Sequence, residues 1–326
     1  MLQVRKLLFA VCGATAVVLA FGLTSIHAQT SAPAQGIQVS PVLVDLNAEK
    51  NNTYNLKITV TNVTEGPLVL KQVVNDFRAK DESGNPEIIL DDKDIDATFS
   101  FKSWVKPAPN ITLKSKESRV VSVEVSVPSS AESGGHYGVV RFSGTPPGEE
   151  NSNISIAASV GVLVLTRVNG TITESIRLKD FFIEKNGKRS GFNETGPITV
   201  VERLENNGNV HVKPSGTVTV KDMLGKTVLS APLNAEGRNV LPNSTRKLSQ
   251  QLSKKWLFGR YTARLEATYG YGNHPLVGTF TFWVIPYKLI VLTILVIVSL
   301  FLLIRFLVKR HNEKIVRKVL EKQKQP

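Results

Sequence analysis

Cysteine is almost missing from this 326-residue chain. The only one, Cys12, lies in an apolar N-terminal stretch, and nothing after it can form an intramolecular disulfide or a cysteine-ligated zinc site. Histidine is scarce, with His136, His211 and His274 as the three in the central part, and they show no H-E-x-x-H or comparable spacing. Solvated loop histidines are therefore expected. No G-x-S-x-G elbow, phosphate-binding glycine loop or cysteine nucleophile is found. Carboxylates are plentiful, but none can be paired from sequence as acid and base. The stretch Asp91-Asp92-Lys93-Asp94-Ile95-Asp96 resembles the start of a calcium loop. It has Ala97 in place of the turn glycine and Ser103 in place of the bidentate glutamate, so a solvated acidic loop is expected. These gaps point away from an enzyme and leave no cofactor to assign.

Long apolar runs are rare too, and that makes the one near the C-terminus decisive. Between Lys288 and Arg305, residues 289–304 carry no charge, and only Thr293 and Ser299 are polar. As a helix, sixteen residues cover about 24 Å of a bilayer core about 30 Å thick. Snorkelling of Lys288 and Arg305, with Val284, Ile285 and residues 306–308 joining the span, closes the deficit. A transmembrane helix over 285–308 is expected, with Trp283, Tyr287, Lys288, Arg305, Lys309 and Arg310 at the membrane interfaces. After Ile304 come eight basic residues against two glutamates, out of a formal net charge of +13. The positive-inside rule then puts the tail, 309–326, in the cytoplasm and the rest outside. Ile315, Val316, Val319 and Leu320 recur at helical spacing in that tail, so it reads equally as a basic amphipathic helix on anionic lipid or as a plain stop-transfer tail.

The N-terminus fits export. Arg5 and Lys6 precede an apolar stretch, and Ile26-His27-Ala28 offers a cleavage site, which gives a signal peptide over 1–28. An uncleaved anchor is the competing reading. Residues 29–35, QTSAPAQ, read as a disordered leader. Seven Asn-x-Ser/Thr sequons (Asn51, Asn62, Asn110, Asn153, Asn169, Asn193, Asn243) matter only in a glycosylating host.

What remains is β-patterned. Tyr54, Leu56, Ile58 and Val60 alternate with polar residues, as do Val121, Val123, Val125 and Val127. Further on, Tyr261, Ala263, Leu265, Ala267 and Tyr269 share one face. Turn signals separate the strands, among them Glu65-Gly66-Pro67, Ser133-Gly134-Gly135, Asn186-Gly187 and Asn207-Gly208; the last two read as tight hairpins. The fold class expected is all-β: two tandem immunoglobulin-like β sandwiches, over 36–168 and 171–284, followed by the one C-terminal transmembrane α-helix. Trp104, in F-K-S-W-V-K-P, is the candidate ligand-binding residue; the competing reading is a packed aromatic at the core or a domain edge.

The opening strand IQVSPVLVDL, the strand ending T-N-V-T, the run V-S-V-E-V-S-V-P and the stretch S-G-G-H-Y-G-V-V-R-F together carry a resemblance. Residues 37–168 resemble the N-terminal domain of the WxL-interacting proteins of Gram-positive surfaces and, more distantly, the first domain of periplasmic pilus chaperones. The resemblance implies a surface protein whose first domain is directed at peptidoglycan and whose second is directed at another partner. The expected function is therefore a single-pass cell-membrane protein that binds a surface protein or wall polymer outside the cell, with membrane lipid as a further partner and no nucleic acid. The alternative is a pilus-chaperone-like or enzymatic envelope protein using an interdomain cleft. A pocket gathering His211 or His274 with carboxylates would favour that alternative, and flat faces would favour binding.

Overall fold

The computed structural model describes residues 36–91, 94, 99–148, 158–254 and 256–323. The expected signal peptide, leader and Cys12, sequon Asn153 and most of the acidic run after Asp91 lie outside the described residues.

Two β sandwiches follow one another, each built on its own apolar core. In the first, β1 (Ile37–Ser40), β3 (Thr53–Asn62) and β7 (Ser118–Ser126) form a three-stranded sheet. The facing sheet runs β2 (Leu43–Ala48), β9 (Ala158–Val168), β8 (Gly134–Thr145), β4 (Leu68–Ala79), β5 (Pro86–Ile88), with β6 (Ile111–Leu113) also on β4. The alternating residues behave as their period dictates: Leu56, Ile58 and Val60 lie beside Val123 and Val125 on the inner face of one sheet, in a core closed by Leu70, Phe101, Phe142 and Val164. The opening strand belongs to both sheets. Its first half pairs antiparallel with β3, and after Pro41 its second half pairs parallel with β9. Proline has no N–H to give a ladder, so the break falls where a strand can change sheets.

In the second sandwich, one sheet holds β11 (Lys188–Arg189), β10 (Ile176–Lys185), β13 (Ile198–Asn206) and β16 (Ser244–Leu252). The other holds β12 (Phe192–Asn193), β18 (His274–Val284), β17 (Gly259–Tyr269), β14 (Ser215–Asp222) and β15 (Thr227–Leu233). Tyr261, Ala263, Leu265 and Ala267 point inward from β17 against Val200, Leu204 and Leu252. Asn186 and Gly187 both take positive φ and close the β10–β11 hairpin, as expected of that dipeptide. Asn207-Gly208 does not make the expected hairpin. β13 and β14 belong to different sheets, so this chain segment crosses the sandwich.

Each sandwich is latched by one buried asparagine at a strand end. Asn62 donates through Nδ2 to the carbonyls of Gly66 and Lys114, while its Oδ1 accepts from the Thr64 N–H. Asn206 donates to the Val210 and Val240 carbonyls, and its Oδ1 accepts from the Gly208 N–H. Both satisfy loop carbonyls, and those held by Asn206 are buried from water. Asn62 and Asn193 are buried in the folded chain, so those two sequons are not accessible acceptors.

Beyond β18 the chain enters α1 (Tyr287–Gln323). Its first part, Tyr287–Glu313, is long and apolar enough to cross a membrane, and none of its most apolar stretch is buried against the sandwiches. Within it the Thr293 hydroxyl donates to the Leu289 carbonyl, which satisfies that polar group inside the helix.

Candidate functional site

Among the described residues, the sandwiches meet through at least three sets of contacts. The β4–β5 hairpin of the first reaches over the β13–β16 face of the second. There the Lys247 N–H donates to the Glu82 carbonyl at 2.8 Å and Arg246 donates to the Ser83 carbonyl at 3.1 Å. The Glu82 carboxylate accepts from both Arg203 nitrogens that face it, and Arg203 also binds Asp180. That guanidinium holds the Glu82 carboxyl below the ordinary glutamate range. Next to the hairpin, Phe77, Val139 and Leu165 form a small apolar cluster on the outer face of the first sandwich, and Leu241 of the second packs on it.

The third set surrounds a cleft of about 210 Å³ lined from both domains. The first sandwich contributes Asp45 and Asn47 from β2 and Arg167 from β9. The second contributes His211, Lys213 and Asn239 from its loops, and Tyr271 from the β17–β18 turn; Glu174 comes from the connection between the sandwiches. The ends of β2 and β9 lie side by side because these strands pair in parallel, which sets Asp45 and Arg167 on the same rim.

Most of these groups are already engaged. The His211 N–H donates to the buried Tyr137 hydroxyl at 2.8 Å, and that hydroxyl lies 3.3 Å from His211 Nδ1. His211 Nε2 stands 3.2 Å from Asp45 Oδ1. One tautomer satisfies all three contacts: Nε2–H donates to Asp45 and Nδ1 accepts from the tyrosine. The bond from His211 lowers the Asp45 pKa, and burial raises that of the Tyr137 hydroxyl. Arg167 pairs with Glu174 at 2.7 Å, and its guanidinium lies 4.3 Å from the Tyr271 ring centroid. Glu174 also accepts from the Tyr271 N–H. That geometry requires Gly270, whose φ is +69° and whose missing Cβ would fall 2.1 Å from the Glu174 carboxylate. His274 Nε2 is 4.0 Å from Glu174, too far for a hydrogen bond.

The cleft thus gathers His211 with two carboxylates, the arrangement that would favour chemistry, while His274 stands outside its lining. These polar groups are already paired. His211 spends both ring nitrogens in clamping one domain to the other, and Arg167 is neutralised by Glu174. A base needs a free lone pair within reach of a substrate proton, and a nucleophile needs such a base beside it. What the arrangement does is hold two sandwiches in a fixed relation through buried polar contacts.

The remaining sequence candidates sit elsewhere. Trp104 is 5% exposed and closes a short 3-10 turn, with its ring 4.3 Å from that of His136. The packed-aromatic reading describes it; a ring buried in this way has no free face for a glycan. His136 is likewise a correction to the expected solvated loop: it is buried, its nitrogens face the Phe99 and Glu132 carbonyls, and burial lowers its pKa. Trp283 and Tyr287 are about half exposed where β18 gives way to α1, and Lys288 pairs with Glu194 at 2.9 Å. Arg305, Lys309 and Arg310 lie along α1, past its uncharged stretch. Sequence reasoning missed the Tyr137–His211–Asp45 clamp. Its members are 74 and 166 residues apart, and no local pattern marks them.

Comparison with known proteins places the first sandwich. Residues 28–144 match the family model of the WxL Interacting Protein peptidoglycan binding domain, about a third of the chain and all but the last strand of that sandwich. No curated protein sequence matches the chain significantly. Among solved structures, the chain resembles the class 5 fimbriae chaperone CfaA at 14% identity, with 74% of this chain and 98% of that one covered and a TM-score of 0.38. The E. coli chaperone DraB gives 13% identity, 76% and 97% coverage and a TM-score of 0.34. A Porphyromonas gingivalis protein of unknown function gives 14%, 76% and 97%, and 0.28.

Proposed function

We propose that this chain is a membrane-anchored binding protein of the cell surface that holds wall peptidoglycan through its first sandwich. The observation that carries the reading is the match of residues 28–144 to a peptidoglycan-binding domain in a chain whose described residues include one helix, Tyr287–Glu313, apolar enough to cross a membrane. The polar clamp between the sandwiches supports it. A binding domain fixed to a second domain next to the bilayer has a short, defined reach, which suits a strut between membrane and wall. The second sandwich carries the anchor and presents faces to a protein partner. Neither domain is assigned a reaction. The basic residues after Ile304 support a tail on the cytoplasmic side.

Photo-crosslinking in intact cells tests this reading. A crosslinker on an exposed first-sandwich residue, Glu65 or Lys50, should yield adducts with wall fragments after muramidase digestion. Protease added outside should remove both sandwiches and leave a small C-terminal fragment. Protection of the whole chain, or crosslinks to cytoplasmic proteins alone, would overturn it.

A further inference from the structure

The end of the second sandwich from which α1 leaves carries apolar side chains that no core accounts for. Leu224 and Met223, on the β14–β15 turn, are 89% and 53% exposed; Trp256 and Phe258, on the β16–β17 loop, are 66% and 62% exposed. Single exposed apolar residues are ordinary, but four on two adjoining loops form a patch. The two loops touch: Met223 Cε occupies the space a Cβ on Gly259 would need.

Hydrogen bonds hold the turn and Phe258 in place with these side chains outward. The Asp222 carboxylate accepts from the Leu224 and Lys226 N–H groups at 3.0 and 2.9 Å. The Tyr261 hydroxyl accepts from the Phe258 N–H at 2.9 Å. Leu257, between the two exposed aromatics, is buried in the core, so its neighbours are turned out together. A display held in this way loses little conformational entropy on binding.

The location identifies the occupant. Gly259 pairs with Val284, the last residue of β18, and α1 begins three residues later at Tyr287. Three residues span at most about 10 Å. The headgroup region of a bilayer leaflet is about 5–8 Å deep, so loops this close to the start of a spanning helix lie at headgroup level. Lys226, Lys254 and Arg260 are exposed near the same loops, which suits an anionic surface. We propose that the Met223–Leu224 turn and the Trp256–Phe258 loop insert into the outer leaflet beside α1, as a second membrane contact that sets the tilt of the sandwiches above the bilayer. The proposal rests on α1 being the membrane anchor.

The test is site-directed spin labelling of the full chain, carrying Cys12→Ser, in vesicles of phosphatidylcholine and phosphatidylglycerol. Labels at Leu224→Cys, at Gly66→Cys in the first sandwich and at Ile297→Cys in α1 are compared for collision with oxygen and with a water-soluble nickel chelate. Insertion predicts that the Leu224 label is shielded from nickel at least several-fold relative to Gly66 and has raised oxygen access. It also predicts that adding Trp256→Ser and Phe258→Ser abolishes the shielding. Equal nickel access at Leu224 and Gly66 with a shielded Ile297 label overturns insertion and leaves the anchor intact. A nickel-accessible Ile297 label overturns the anchor itself. Shielding that survives loss of both aromatics, or that appears equally in detergent-free chain without vesicles, assigns the patch to the label or to protein contact and rejects the proposal.

Discussion

Replacing Glu202 with glutamine should free the second sandwich from a pH dependence that its fold builds in. Glu202 sits on β13 between Val200 and Leu204, on the inward face, and is fully buried. With its amide nitrogen turned toward the carboxyl, Gln250 on the neighbouring strand donates to both oxygens at 2.8 Å. No cation joins the causes that set its ionisation, so burial dominates and pushes the pKa from 4.5 up to about 8. A carboxyl raised in the folded state favours folding while it stays protonated. Its contribution is whole below about pH 4.5 and is lost as pH rises through about 8. At 1.36 kcal/mol per pKa unit, the loss across that window is at most about 5 kcal/mol, since a strained site relaxes or admits water. Glutamine keeps the shape and the amide contact but cannot ionise. Denaturant unfolding of the full chain in micelles, followed by Trp256 and Trp283 fluorescence, checks this between pH 5 and 8. The wild-type midpoint should fall steadily with rising pH and the Glu202→Gln midpoint should stay nearly level, so that the variant is the more stable at pH 8. Parallel profiles for the two proteins would refute the reasoning.

Asn206→Ala should cost the second sandwich about 3 kcal/mol in the same unfolding assay, because two loop carbonyls and one N–H lose a buried partner; Asn62→Ala should do the same to the first, read by Trp104. Tyr137→Phe removes the hydroxyl that meets His211 twice. It should cost about 1–3 kcal/mol and speed amide exchange in residues 207–213, while exchange in β3 and β7 stays unchanged. Gly270→Ala places a Cβ against Glu174 at a positive φ. It should cost at least about 1–2 kcal/mol and release Arg167, detectable as greater proteolysis between the sandwiches.

The strands were legible because their cause is local. Leu56, Ile58 and Val60, or Ala263 and Leu265, face the core since side chains alternate along any strand, whatever its partners. Pairing is not local. Nothing in IQVSPVLVDL says that its halves join different sheets, and Asn207-Gly208 carries the composition of a hairpin turn although the chain crosses between sheets there. The clamp escaped for the same reason. His211 follows a polar N-N-G-N-V run that reads as a solvated loop, and only the docking of β2 and β8 against that loop buries it. Glu202 left a trace: it falls in phase with Ile198, Val200 and Leu204, so its burial follows from the strand period. Trp104 could not be resolved, since an aromatic beside lysines and prolines fits a rim as well as a core.

The central claim, that the first sandwich holds peptidoglycan, is met most directly by co-sedimentation of the purified full chain in micelles with isolated, protein-free peptidoglycan. The chain should pellet with the polymer in a saturable manner and be released by soluble muropeptides. A chain that stays in the supernatant at every polymer concentration, while its β-sheet circular dichroism is intact, would contradict the account.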